Sequence, residues 1–221
     1  MALDFGILDQ QLFLAVNGSH SAYFDQVMWI VSSRLSWALI MLAFLWTLRD
    51  KGWRQEVLAI LCVALTVLIA DRVSAGVIKG LVGRPRPSHE PALEGLVHIV
   101  NDYAGGPFGF VSSHAANAFG VALIAGLMMR DRFVFWTLFA WAVLQSYSRI
   151  YLGVHYPGDA LGGVLLGILS AGVVFVVAWA ANRFWPKAVP LPAFTAKNGR
   201  VVNYAVLATV VIIAIIAPLW L

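Results

Sequence analysis

Three short stretches hold nearly all the chemistry this chain can offer. Lys79 and Arg86 stand seven residues apart with Pro87 behind them, and Ser112, Ser113 and His114 open an apolar run. Arg149, His155 and Asp159 surround the bend at Pro157-Gly158. A histidine with an aspartate four residues on suits an imidazole held in one tautomer by the carboxylate, which leaves its other nitrogen free to attack. Arginine forks and a lysine suit oxyanions, phosphate above all. Ser-Ser-His at a helix start supplies hydroxyl caps and free backbone N–H groups, which also favour an anion. The set describes a site for an anion that undergoes chemistry.

Each stretch alone also fits a plainer role. Lys79 and Arg86 suit interfacial anchors, Ser112 and His114 an ordinary cap, and His155 with Asp159 a satisfied loop pair. What favours a shared site is where the elements must place them. The chain has 221 residues, of which 61% are hydrophobic and only 12% charged, so it does not read as a soluble globular protein. The segments 27–48, 55–79, 113–129, 133–150, 160–182 and 201–220 each approach the roughly 20 apolar residues that cross a bilayer. They lack the alternation of an outer-membrane barrel. The expected class is an all-α integral membrane protein: a six-transmembrane-helix bundle forming a single domain over 1–221. Within an N-terminal segment 1–22, Phe5, Leu8, Leu12 and Val16 share a helical face opposite Asp4, Asp9 and Gln11, which predicts an amphipathic helix in the interface plane. The first basic residue is Arg34, so no basic n-region of a secretory signal opens the chain. The single Cys62 permits no intramolecular disulfide.

The net charge of +4 follows from orientation and gives no reason to expect nucleic acid. Arg49, Lys51, Arg54, Arg130, Arg132, Arg183, Lys187, Lys197 and Arg200 fall in the three loops of one face, which the positive-inside rule makes cytoplasmic. The opposite face receives the N-terminal segment, the loop 80–112 and the short loop near 151–158. All three reactive stretches therefore converge at one depth on the outer side. Ionisable groups beside hydrocarbon are costly and tend to mark function.

In that order and spacing the stretches resemble the signature of the type 2 phosphatidic acid phosphatase (PAP2) family. Its motifs are Lys-x6-Arg-Pro, Pro-Ser-Gly-His and Ser-Arg-x5-His-x3-Asp. The first and third stand here in full, as Lys79-x6-Arg86-Pro87 and Ser148-Arg149-x5-His155-x3-Asp159. The second reads Val111-Ser112-Ser113-His114, with valine for proline and serine for glycine. The resemblance implies His155 as nucleophile, Asp159 as its orienting carboxylate and His114 as the acid that protonates the leaving oxygen. It implies Lys79, Arg86, Arg149 and Ser112, with backbone near Ser113, as holders of the phosphoryl oxygens. It implies no metal and no cofactor. The implied substrate is a lipid phosphate or diphosphate, foremost undecaprenyl diphosphate or a lipid A phosphate, beside phosphatidylglycerol phosphate and phosphatidic acid. The implied setting is a bacterial inner membrane, with the site facing the periplasm beneath the loop 80–112. Membrane lipids are then the partners, with no obligatory protein partner.

The rival class is a non-catalytic lipid-phosphate binding protein or carrier. It explains the cations as well, but not two histidines at the same depth, one spaced to an aspartate. Three features stand outside the signature. Asp71-Arg72 interrupts the second span and reads first as an internal ion pair. Gly158, Gly162, Gly163 and Gly167 read as close helix packing. Arg34 either snorkels outward or touches a headgroup.

Overall fold

The computed structural model describes residues 5–49, 52–187, 191 and 196–220. Asp4, Lys51 and the side chain of Lys197 lie outside the described residues. Regular structure among the described residues is helical: α1 (Phe5–Asn17), α2 (Ala22–Ser32), α3 (Ala38–Leu48), α4 (Trp53–Val73), α5 (Lys79–Val82), α6 (Ser113–Met129), α7 (Arg132–Tyr151), α8 (Pro157–Phe184) and α9 (Ala196–Ile216). Among the described residues, three helical stretches are long and apolar enough to cross a membrane: Trp53–Val82, Pro157–Phe184 and Gly199–Trp220. A fourth arises if the bent pair Ala22–Ser32 and Arg34–Leu48 is counted as one span.

α6 is the hub. It is flanked by α4, α7 and α8, and its alanines and glycines let those neighbours approach closely. Gly163 and Gly167 of α8 lie so near α6 that an added Cβ would fall 2.5 Å from Ser112 O and 2.3 Å from Ala116 O. The small residues of α8 therefore serve close packing, as expected. Gly158, at the head of the same helix, faces Asp9 of α1 instead.

Two of the expected spans are not plain helices. The stretch 27–48 is bent by 64° at Ser33, which is extended. Two side chains stabilise the bend: Ser36 Oγ donates to Val31 O at 2.8 Å, and Gln145 Nε2 donates to the same carbonyl at 2.6 Å. Serines that hydrogen-bond their own backbone compete with helical pairing, and this the apolar pattern does not reveal. In the second span, residues Ser74–Ile78 form a π turn between α4 and α5. The widened turn presents Ser74 Oγ to Ser113 Oγ of α6 at 2.8 Å, and π turns often mark functional sites.

Residues 5–17 are helical, but their buried anchor is not on the predicted apolar face. Phe13 is fully buried and meets Tyr156 edge-on, with ring centroids 5.4 Å apart. Burial of a side chain that size contributes roughly 1.5–3 kcal/mol. Phe5, Leu8 and Leu12 remain exposed. The loop 80–112 closes at its neck through Arg86 N→Pro107 O (3.0 Å) and Gly109 N→Arg84 O (2.9 Å). Its far end is pinned by Asn17, whose side chain pairs with both backbone groups of His98 at 2.8 Å. His98 Nε2 lies 2.9 Å from Asp25 Oδ2, and its ring stacks on His20 at 3.7 Å and 4°. Parallel rings share no in-plane point where one ion could meet both lone pairs, so this group acts as a pin. On the opposite end of the bundle, Arg54 Nη1 donates to Lys187 O at 2.8 Å. That contact joins two of the basic loops on one face.

Candidate active site

The loop between α7 and α8 is built tightly. Tyr156 is the N-cap of α8, Pro157 fills its first position, and Asp159 Oδ2 accepts the Tyr156 N–H at 3.1 Å. That box fixes the carboxylate. Asp159 Oδ2 then lies 3.3 Å from His155 Nδ1. On the other side of the ring, Arg86 Nη1 lies 3.1 Å from His155 Nε2. A guanidinium only donates, so Nε2 carries the lone pair and Nδ1 the proton that faces Asp159. His155 is 1% exposed. Burial, reinforced by the charges of Arg86, Arg149 and Lys79, holds its pKa well below the ordinary value of 6.5. The ring is a neutral imidazole at neutral pH, its Nε2 lone pair directed at Arg86.

The cations around it are held in place. Arg86 also donates from Nε to Phe108 O at 3.2 Å and from Nη1 to Val154 O at 3.1 Å. Lys79 Nζ donates to Gly109 O at 3.1 Å. Arg149 is 4% exposed, donates to Ser32 Oγ and has the Tyr103 ring 5.5 Å away. Its Nε has no partner among the described residues. Ser112 caps α6, accepting from Ala115 N at 3.4 Å, and its own N–H donates to Asp159 O at 2.9 Å. His114 lies in the first turn of α6, within electrostatic range of Arg149, His155, Arg86 and Lys79. It lines a cavity together with Ser113. The structure thus gathers Lys79, Arg86, Ser112, Ser113, His114, Arg149, His155 and Asp159 around one point, although they come from three distant stretches.

Where the second motif departs from the family pattern, the fold absorbs the change. Val111 is buried against α8, its Cγ1 lying 2.6 Å from where a Cβ on Gly162 would stand. The Ser113 hydroxyl finds Ser74 in the π turn. The expected Asp71–Arg72 ion pair is absent among the described residues. Both side chains are exposed and line cavities instead.

Three residues outside the expected set complete the site. Arg84 bridges two carboxylates, with Nη1 3.1 Å from Asp159 Oδ1 and Nη2 2.7 Å from Asp9 Oδ2. Asp9 in turn accepts the Gly158 N–H at 2.7 Å. α1 therefore reaches the reactive loop through Asp9. One signal was available: Arg84 and Arg86 flank Pro85 in extended backbone, where residues two apart share a face. Gly109 is the third. A Cβ there would stand 2.6 Å from Asp159 Oδ2 and 3.3 Å from Arg86 Cγ, so only hydrogen fits between the two.

Comparison with known proteins gives the chain a family. The profile of the PAP2 superfamily matches residues 55–183, more than half of the chain. The lipid A 4'-phosphatase of Bacteroides thetaiotaomicron is 35% identical over 187 residues, covering 84% of this chain and 83% of the relative. The undecaprenyl-diphosphatase BcrC of Bacillus subtilis is 27% identical over 172 residues, covering 76% and 83%. Among solved structures, a transmembrane PAP2-type phosphatidylglycerolphosphate phosphatase from Bacillus subtilis matches with a TM-score of 0.61 and 25% identity, over 83% of this chain and 90% of that one. The crystal structure of Aquifex aeolicus LpxE, at 24% identity, shares the fold with a TM-score of 0.59. The protein is a membrane protein and a hydrolase of phosphate esters, and its chain belongs to the PAP2 superfamily.

Proposed function

We propose that the protein hydrolyses a lipid phosphate or diphosphate at the outer face of a bacterial inner membrane. The observation that carries this reading is the ordered chain Arg86–His155–Asp159, which leaves a neutral, oriented Nε2 among three cations. The phosphoryl oxygens draw Arg86, Lys79 and Arg149 onto themselves, and Arg86 leaves Nε2. That nitrogen attacks phosphorus as the P–O bond to the lipid breaks, and His114 gives a proton to the departing oxygen. Asp159 stabilises the charge gained by the imidazole. Water, deprotonated by His114, then cleaves the P–N bond and releases inorganic phosphate. Most of the catalysis is positioning and charge stabilisation, as phosphoryl transfer requires. The reaction asks nothing of a metal or cofactor.

The layout is read as one domain of six spans, with the shorter helix α6 enclosed by α4, α7 and α8 and α1 lying in the interface. The apolar exposed side of α1 (Phe5, Leu8, Leu12) supports that placement. The basic loops set the opposite face in the cytoplasm, so the site faces the periplasm beneath the loop 80–112. Substrates of the relatives point to lipid A phosphates or undecaprenyl diphosphate. The test is phosphate release by detergent-purified protein from a panel of lipid phosphates with EDTA present. Release that vanishes in His155→Ala supports the reading. Release unaffected by that substitution, or strictly dependent on added Mg²⁺, removes it and favours a binding or carrier role.

A further inference from the structure

Directly inward of His114 lies a cavity of about 370 Å³. Its polar lining includes His114 and Asn117 of α6, Asp71 of α4, and Arg34 at the bend between α2 and α3, with Trp37 beside them and Ser32, Ser33, Ser113 and Gln145 also on its walls. A second cavity of about 650 Å³ continues from it, sharing Arg34, Asp71 and Asn117 and adding Arg72, which stands one residue beyond Asp71 and so about 100° round the helix from it. Farther on, its walls are apolar: Phe44, Leu45, Ile60 and Leu68. Because α3 packs chiefly on α9 rather than on α4, the cleft between α3 and α4 opens sideways. Leu45, Ile60 and Leu68 are about half exposed along it. Asp71 lies eight residues inward of Lys79, about 12 Å along the helix. The order from the outer face inward is thus the phosphate site, a chamber whose polar groups stand among Met41, Val63, Val67 and Val121, and the cleft between α3 and α4.

The chamber's chemistry selects among leaving groups. Arg34 and Asp71 face it without a side-chain hydrogen bond or ion pair among the described residues, and Asn117 Oδ1 is buried with no partner. Two of these three groups need a donor. An ionised second phosphate has none and would meet the Asp71 carboxylate, and a prenyl or glycerol chain offers little or nothing there. Sugar hydroxyls both donate and accept, so they satisfy Asp71, Asn117 and Arg34 together. The Trp37 ring gives the sugar a flat apolar wall.

We propose that the leaving group is the sugar of a glycolipid phosphate, seated in this chamber against Arg34, Asp71 and Asn117, with its lipid chains running down the α3–α4 cleft. The inference rests on the phosphatase reading above and deepens it. The bond broken is the ester between phosphorus and the sugar oxygen, and the oxygen leaves toward His114 at the chamber's roof.

The experiment measures kcat/KM for bis-phosphorylated lipid A, undecaprenyl diphosphate and phosphatidic acid, with EDTA present. It compares wild type, Asp71→Ala and Arg34→Met. Both side chains are exposed to the cavity, so neither change removes a packed residue, and Asp71→Asn provides a conservative control. The wild type is expected to prefer the glycolipid by about tenfold or more, since a site that hydrogen-bonds hydroxyls rejects analogues lacking them. Each variant is expected to lower that preference about tenfold through the glycolipid value, with Asp71→Asn losing less than Asp71→Ala. Equal or faster wild-type turnover of undecaprenyl diphosphate or phosphatidic acid overturns the inference. So does an equal loss on all three lipids in the variants. Absence of phosphate release from any lipid by the wild type overturns the phosphatase reading and this inference with it.

Discussion

The reactive loop and the chamber beneath it treat charge in opposite ways. At the loop, Asp9, Arg84, Asp159, His155 and Arg86 form an unbroken chain of contacts between 2.7 and 3.3 Å. In the chamber, Arg34 and Asp71 line the same cavity with no such partner among the described residues. The groups proposed to make and break bonds are fixed before substrate arrives, which lowers the reorganisation required during reaction. The groups that read the substrate are left open. The contrast also bears on stability: charges that complete a network cost little to keep, whereas open ones persist where a ligand completes them.

The contrast can be broken from its rigid side. Asp159→Asn removes the carboxylate charge and places an amide NH2 where it can hold His155 in the wrong tautomer, and is expected to lower kcat about 10³- to 10⁴-fold, as loss of an orienting carboxylate does elsewhere. A fall below about tenfold would mean that Arg86 alone orients the ring. Gly109→Ala forces a methyl between Asp159 and Arg86, and misplacement on that scale is expected to lower kcat about 10²-fold. Steady-state rates for both variants, in protein that elutes as the wild type does, check these values.

Arg84→Gln tests whether the bridge from α1 positions Asp159. The expected loss is about tenfold in kcat, typical of groups that orient a reactive residue, with KM little changed and partial rescue in Arg84→Lys. A change in KM alone, or equal defects in the lysine variant, would make Arg84 a binding or merely structural residue. The smallest expected effect is a negative one. Because burial and three neighbouring cations depress the His155 pKa, its NMR resonance, assigned with His155→Ala, is expected to show no protonation as pH is lowered through 6.5. A midpoint at 6.5 or above would deny that the nucleophile stands ready in its neutral form.

Much of this arrangement was legible in the sequence, because the informative residues break strong local rules. In so apolar a chain, Lys79, Arg86, Arg149 and Asp159 stand out, and the span order that brings their loops to one face, together with the family resemblance, gathers them with His114 and His155. Helix positions followed from apolar runs, and the helix 5–17 from its periodicity. What escaped notice depends on contacts between elements. The bend at Ser33 rests on Gln145, more than a hundred residues away, and the π turn on Ser113. Asp9 looked like the solvent face of an amphipathic helix but meets Arg84 and Gly158. Asp71 looked like half of an ion pair because its sequence neighbour is Arg72. On a helix adjacent residues point about 100° apart, so they seldom meet.

The central claim is that His155 Nε2 becomes bonded to phosphorus. The direct measurement is a rapid quench of enzyme with a turning-over lipid phosphate into alkali, where a phosphoramidate survives, followed by mass mapping of the modified peptide. The proposed mechanism predicts transient phosphorylation on the peptide bearing His155, formed more slowly in His114→Ala, which lacks the acid of the first step as well as the base of the second, and absent in His155→Ala. Turnover by the wild type with no adduct at His155, or an adduct elsewhere that persists in His155→Ala, would contradict it.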